Sequence, residues 1–158
     1  MKKISVIILL LSIFLFSCSK RINAQYVHTG WDEGTHALYD IVNSETQLAS
    51  YTAARDISAK SYLTAIEKYN SSFFEKNTLV IFNIEASSGS YTYKVSNYTI
   101  NNDEITIYIK LHSPEIADCM MSGWHIFLEI SKDEMNGVNY LNYSFDEKNI
   151  NKGRQIIF

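Results

Sequence analysis

The chain has 158 residues, 46% hydrophobic and 20% charged, with 14 Lys+Arg against 17 Asp+Glu and a single proline, Pro114. That composition describes one globular domain and excludes collagen-like repeats, a charged disordered tail and a polytopic membrane protein. A pI near 5.8 argues against nucleic acid as a partner. The two cysteines, Cys18 and Cys119, lie in unlike surroundings and make no disulfide framework.

Residues 1–17 read as a signal peptide. Lys2 and Lys3 precede a mostly apolar run, 4–16, which has the length of a signal-peptide core and is too short to cross a bilayer as a helix. Leu15, Phe16, Ser17 and Cys18 resemble the lipobox of bacterial lipoproteins, whose cysteine is acylated and becomes the new N-terminus. Cleavage after Ala24 by an ordinary signal peptidase is the alternative and gives a secreted protein. Loss of Lys2 and Lys3 leaves 12 Lys+Arg against 17 Asp+Glu, a formal charge of −5. Such a surface repels anionic headgroups, so attachment to a bacterial membrane rests on acyl chains at Cys18. Residues 18–36, with two Gly and few aliphatics, read as a flexible tether. Residues 37–146 read as the single domain, and 147–158 as a C-terminal tail.

Within the domain, Ser44, Glu45, Thr46 and Gln47 match a capping box and start a short helix. A second helix is expected over 58–69, with Tyr62, Leu63, Ile66 and Tyr69 on its apolar face. The period then changes to two. Residues 78–84 carry so little polar alternation that they read as a central strand buried on both faces. The turn cluster Ser87, Ser88, Gly89, Ser90 leads into a return strand, Tyr91, Tyr93, Val95, as in a hairpin. Tyr98 and Ile100 fall on the opposite parity, which places a bulge near Ser96 or Asn97. Ile105, Ile107, Ile109 and Leu111 alternate strictly with polar residues. Ile126, Leu128 and Ile130 mark a fourth strand and residues 138–145 a fifth. The expected fold class is α+β, a mainly antiparallel sheet of about five strands packed on one or two N-terminal helices.

The chemistry-bearing residues form no strong pattern. No nucleophile elbow, triad spacing or phosphate cradle is present, so no catalytic residue is assigned and the chain is read as not an enzyme. His28, Asp32, Glu33 and His36 sit in the supposed tether, without the outer partners that fix a metal-binding His. His112, Cys119, Met120, Met121 and His125 bracket one loop and would suit copper. Against this, Met120 and Met121 read as gap-filling hydrophobes, and both histidines as solvent-facing alternates on their strands. Asn-x-Ser/Thr at Asn70, Asn97 and Asn142 reads as chance in an Asn-rich chain.

Taken in order, the capped helix at Ser44, the segment 77–84, the turn Ser88-Gly89-Ser90-Tyr91, the strand 104–111, Pro114 and the strand 124–130 resemble the PrcB-like family. These are exported bacterial proteins, often lipoproteins, named for an accessory subunit of a surface subtilisin-like protease complex. The likeness spans residues 41–135, with Ser90 standing where the family's turn has its second Gly. It implies a non-catalytic, cofactor-free protein of the cell envelope that binds an envelope protein such as a secreted or surface protease, with Gly89, Ser90 and Tyr91 as candidate contacts. The Gly-x-Tyr strand opening also resembles chagasin-like inhibitors of cysteine proteases. The alternatives are therefore a protease inhibitor, or a module binding a metal or small ligand through His112, Cys119 and His125.

Overall fold

The computed structural model describes residues 21–30, 38–116, 118–145 and 155–156. The signal segment 1–17 and the acylation candidate Cys18 lie outside the described residues. The architecture is α+β, in three layers. One sheet has the order β1-β6-β3-β2, from Asn23–His28, Ser122–Ser131, Asn77–Ala86 and Tyr39–Val42. The other has the order β4-β5-β7-β8, from Thr92–Asn101, Glu104–His112, Tyr140–Phe145 and Gln155–Ile156. Helices α1 (Glu45–Ala54), α2 (Lys60–Ile66) and α3 (Ser71–Lys76) cover the outer face of the first sheet. A single turn, α4 (Lys132–Met135), follows β6.

β3 explains the layering. Its even residues Val80, Phe82 and Ile84 meet Ile105, Ile107, Ile109, Ile126 and Leu128 between the sheets. Its odd residues Leu79 and Ile81 meet Leu48, Tyr62, Tyr69 and Phe127 beneath the helices. A strand covered on both faces needs no polar alternation. Each such side chain contributes about 1.5–3 kcal/mol on burial.

Local signals account for the helices. The Ser44 hydroxyl accepts from the Gln47 N–H at 3.2 Å, and Gln47 Oε1 accepts from the Asn43 N–H at 2.7 Å, one residue before the position a capping box usually serves. α2 turns Tyr62 and Ala65 inward but leaves Leu63 exposed. Leu63 sits a hundred degrees round the helix from Tyr62, outside the covered stripe. Asn70, the first of the Asn-x-Ser/Thr sites, caps α3, accepting from the Phe73 N–H at 3.1 Å. The expected bulge is present: the β4–β5 register shifts between Val95 and Asn97, so Val95 and Tyr98 both face inward.

Several expectations are corrected. Among the described residues the strands form two four-stranded sheets rather than one of about five strands. The three covering helices lie between β2 and β3, after two strands, so they are not an N-terminal layer. β3 and β4 do not form a hairpin: β3 pairs with β2 and β6, and the chain at Ser87–Ser90 crosses to the other sheet. One pair, β5 with β7, is parallel, because the chain passes through β6 and α4 between them. The tether reading fails for Asn23–His28, which pairs along β6 from Asn23↔Glu129 to His28↔Trp124. Ala24 and Tyr26 pack toward the inter-sheet core and Val27 beneath the helices. In the tail, Gln155–Ile156 pairs with β7.

Candidate functional site

β1 and β3 end, and β4 and β6 begin, at the same end of the molecule. β1 runs antiparallel to β6 with Asn23 opposite Glu129, so this end lies seven strand steps, roughly 23 Å, from the point where the chain enters the sheet. Two connections share it: the turn 87–91 between β3 and β4, and the loop 113–121 between β5 and β6. Candidate contacts Gly89, Ser90 and Tyr91 all fall here.

One carboxylate joins the two connections. Asp118 Oδ1 accepts from the Ser88 hydroxyl at 2.7 Å and from the Gly89 N–H at 2.8 Å, while the Asp118 N–H donates to Ser90 Oγ at 3.3 Å. The Ser88 hydroxyl also accepts from the Ser90 N–H at 3.1 Å, and the Tyr91 N–H closes the turn on Ser88 O at 3.3 Å. Chiefly through the Ser88 bond, these donors hold the Asp118 carboxyl below its ordinary 3.8, although its side chain is in solvent. A Cβ on Gly89 would lie 3.3 Å from Asp118 Oδ2, so the close approach suits a residue without one. Ser90 takes its place in the turn without a positive φ, so the position does not require a glycine. Sequence reasoning missed Asp118; its only local signal is a carboxylate in the loop that faces a Ser-Gly-Ser turn.

This pinned loop is apolar on the outside. Ile116 is 89% exposed, Met120 73% and Met121 49%, with Leu111 at 45% just before the loop. Met120 and Met121 therefore fill no gap, correcting the sequence reading. Cys119 is an exposed free thiol on the same loop.

The metal alternative is not assembled. His112 is exposed at the end of β5, but His125 is buried, not solvent-facing. Its ring stands 4.9 Å from that of Tyr62 and 6.2 Å from those of Tyr51 and Phe127, so it faces the helix layer. The first sheet thus lies between His125 and the sheet that carries His112. Among the described residues no three His, Cys, Asp or Glu side chains are placed to hold a metal ion.

Thr29 sits beside His125, Oγ1 to Nδ1 3.1 Å, and its hydroxyl also reaches Gly123 O at 3.3 Å. Thr29 and His125, with Arg55 and Ser58, line a recess of about 390 Å³. Arg55 is held by Asp40 at 2.6 Å and lies 3.8 Å over the Tyr51 ring, so its charge is already neutralised.

No protein-family model, curated protein or solved structure matches this chain.

Proposed function

We propose that the chain is a non-catalytic lipoprotein of the bacterial cell envelope, acylated at Cys18, which binds another envelope protein with the end of the sandwich farthest from its anchor. The observation that carries the reading is the loop after β5, fastened by Asp118 to Ser88 and Gly89 while Ile116 and Met120 stand in water. Large apolar side chains exposed together on one loop of a folded domain suit an interaction site. The resemblance to the PrcB-like family suggests a secreted or surface protease as the partner.

β1 supports the anchoring. Only residues 19–22 separate Cys18 from Asn23, a span of at most about 18 Å. Cleavage after Ala24 would instead remove Asn23 and Ala24 from their pairing with Glu129 and Leu128. The acylated form keeps the strand whole and mounts the domain close to the bilayer.

The test is mild detergent extraction of the tagged full chain from its own membranes, with mass spectrometry of the N-terminus and of co-extracted proteins. An acylated Cys18 and a stoichiometric partner are expected; a chain beginning at Gln25, or one extracted alone, overturns the reading. Two neighbouring connections at one end of a β-sandwich also suit a protease inhibitor. Titration of papain-like enzymes with micromolar protein decides that variant, and unchanged activity removes it.

A further inference from the structure

The order of residues on the exposed loop says what kind of surface it meets. Among the described residues, five large hydrophobics are exposed, and four of them, Leu111, Ile116, Met120 and Met121, fall within one stretch of eleven positions. Carboxylates are interleaved with them: Glu115 precedes Ile116 and Asp118 precedes Met120, while the nearest cations, Lys110 and its cross-strand partner Lys94, stand on β5 and β4 before the loop. Glu85, exposed near the end of β3, adds a third acidic group to the same end.

A loop that enters a bilayer carries Lys or Arg beside its apolar residues, because the cations meet anionic headgroups. Here the same insertion would press Glu115 and Asp118 against that negative surface, and Asp118 is kept ionised by its bonds to Ser88 and Gly89. A protein pocket with a basic rim accepts both features at once: apolar anchors fill its desolvated centre and carboxylates meet the rim. Methionine suits such an anchor, since its flexible thioether adapts to the pocket offered.

We propose that residues 113–116 and 118–121 form a docking surface for a protein partner, with Ile116 and Met120 seated in an apolar pocket and Glu115 facing Lys or Arg on its rim. The inference rests on the accessory-protein reading above and adds the partner's surface chemistry. A bilayer and a second copy of this chain are the rival occupants.

The exposed thiol of Cys119 provides the probe. The full-length lipoprotein is labelled there with benzophenone maleimide in its own membranes and irradiated. The expected result is one adduct with a different protein. Its yield falls about tenfold in Ile116→Asp and in Met120→Asp, the equivalent of a 1.4 kcal/mol loss. It falls several-fold as salt is raised from about 0.1 to about 0.5 M, where exposed charge pairs are screened. Leu63→Asp, an exposed apolar position on α2, serves as the control and leaves the yield unchanged. Thermal melts of the variants verify folding. Adducts with lipid or with a second copy overturn the proposal, as does a yield indifferent to the loop variants or to salt. If a partner co-extracts while the loop variants cross-link normally, the docking loop falls and the accessory reading stands. If no protein co-extracts and none cross-links, both fall.

Discussion

The Gly89 backbone N–H donates to Asp118 Oδ1 at 2.8 Å, across 29 positions of sequence, and so fastens the loop 113–121 to the turn that leaves β3. The folded-state carboxyl is depressed below 3.8, with the Ser88 bond as its largest cause. A depressed carboxylate supports the folded loop fully above its unfolded value, and that support is lost as pH falls through the folded value. The fastening is therefore intact at neutral pH and opens only in acid, below about pH 4. Amide exchange at Gly89 is expected to stay slow from neutral pH down to that window and then to accelerate relative to Tyr98, which lies mid-strand. Asp118→Ala produces the same acceleration at pH 7, whereas global stability changes little, because the group is fully in solvent.

Gly123 presents a second dependence on a missing side chain. A Cβ there would collide with the Gly30 carbonyl oxygen and approach Thr29 Oγ1 at 3.3 Å, while the Thr29 N–H donates to Gly123 O at 2.9 Å. Backbone cannot yield as a flexible side chain does, so Gly123→Ala pushes the end of β1 off β6. A loss of about 1–3 kcal/mol, the usual scale of overpacking, is expected in chemical denaturation. Exchange should rise at Val27 and His28 before it rises at Ile81.

Tyr26 ties β1 to the other sheet as well. Its hydroxyl accepts from the Val95 N–H at 3.0 Å, where the β4 bulge turns that donor away from β5. Val95 is 1% exposed, so water does not replace the lost acceptor in Tyr26→Phe. The expected cost is about 1–3 kcal/mol, that of a buried donor left unsatisfied, read as a lower denaturant midpoint at unchanged slope. An unchanged midpoint would show that the first strand bears no weight in the fold.

How much was legible depended on whether a signal was local. Ser44 and Gln47 announce α1, the unbroken apolar run 79–82 announces a doubly covered strand, and the parity change between Val95 and Tyr98 announces the bulge. β1 was not legible, because Asn23–His28 is an edge strand whose inward residues, Ala24, Tyr26 and Val27, include no Ile or Leu. Nor was the second sheet: Ser87–Ser90 suits a tight hairpin as well as a crossover, and only non-local pairing of β3 with β6 decides. At the site, Gly89 and Tyr91 were visible as a turn. The outward placement of Ile116 and Met120 was not, because methionine fills cores as readily as it serves surfaces. His125 was misjudged since β6, like β3, is covered on both faces, and parity then says nothing about exposure.

The placement of His125 also settles what metal analysis should find. A copper or zinc site needs its ligands within about 2–2.3 Å of one ion. The His125 ring lies among Tyr51, Tyr62 and Phe127 beneath the helices, and His112 belongs to the sheet on the far side, about 10 Å away in layer spacing alone. Cys119 and Met120 are exposed on the loop, outside the buried ring cluster that holds His125. Any copper or zinc found by elemental analysis of protein purified without chelators is therefore expected to persist unchanged in His125→Gln. A one-to-one metal content that disappears in His125→Gln would require the helix layer to open around that ring. In that event the recess beside Thr29 and Arg55, rather than the loop 113–121, becomes the functional site.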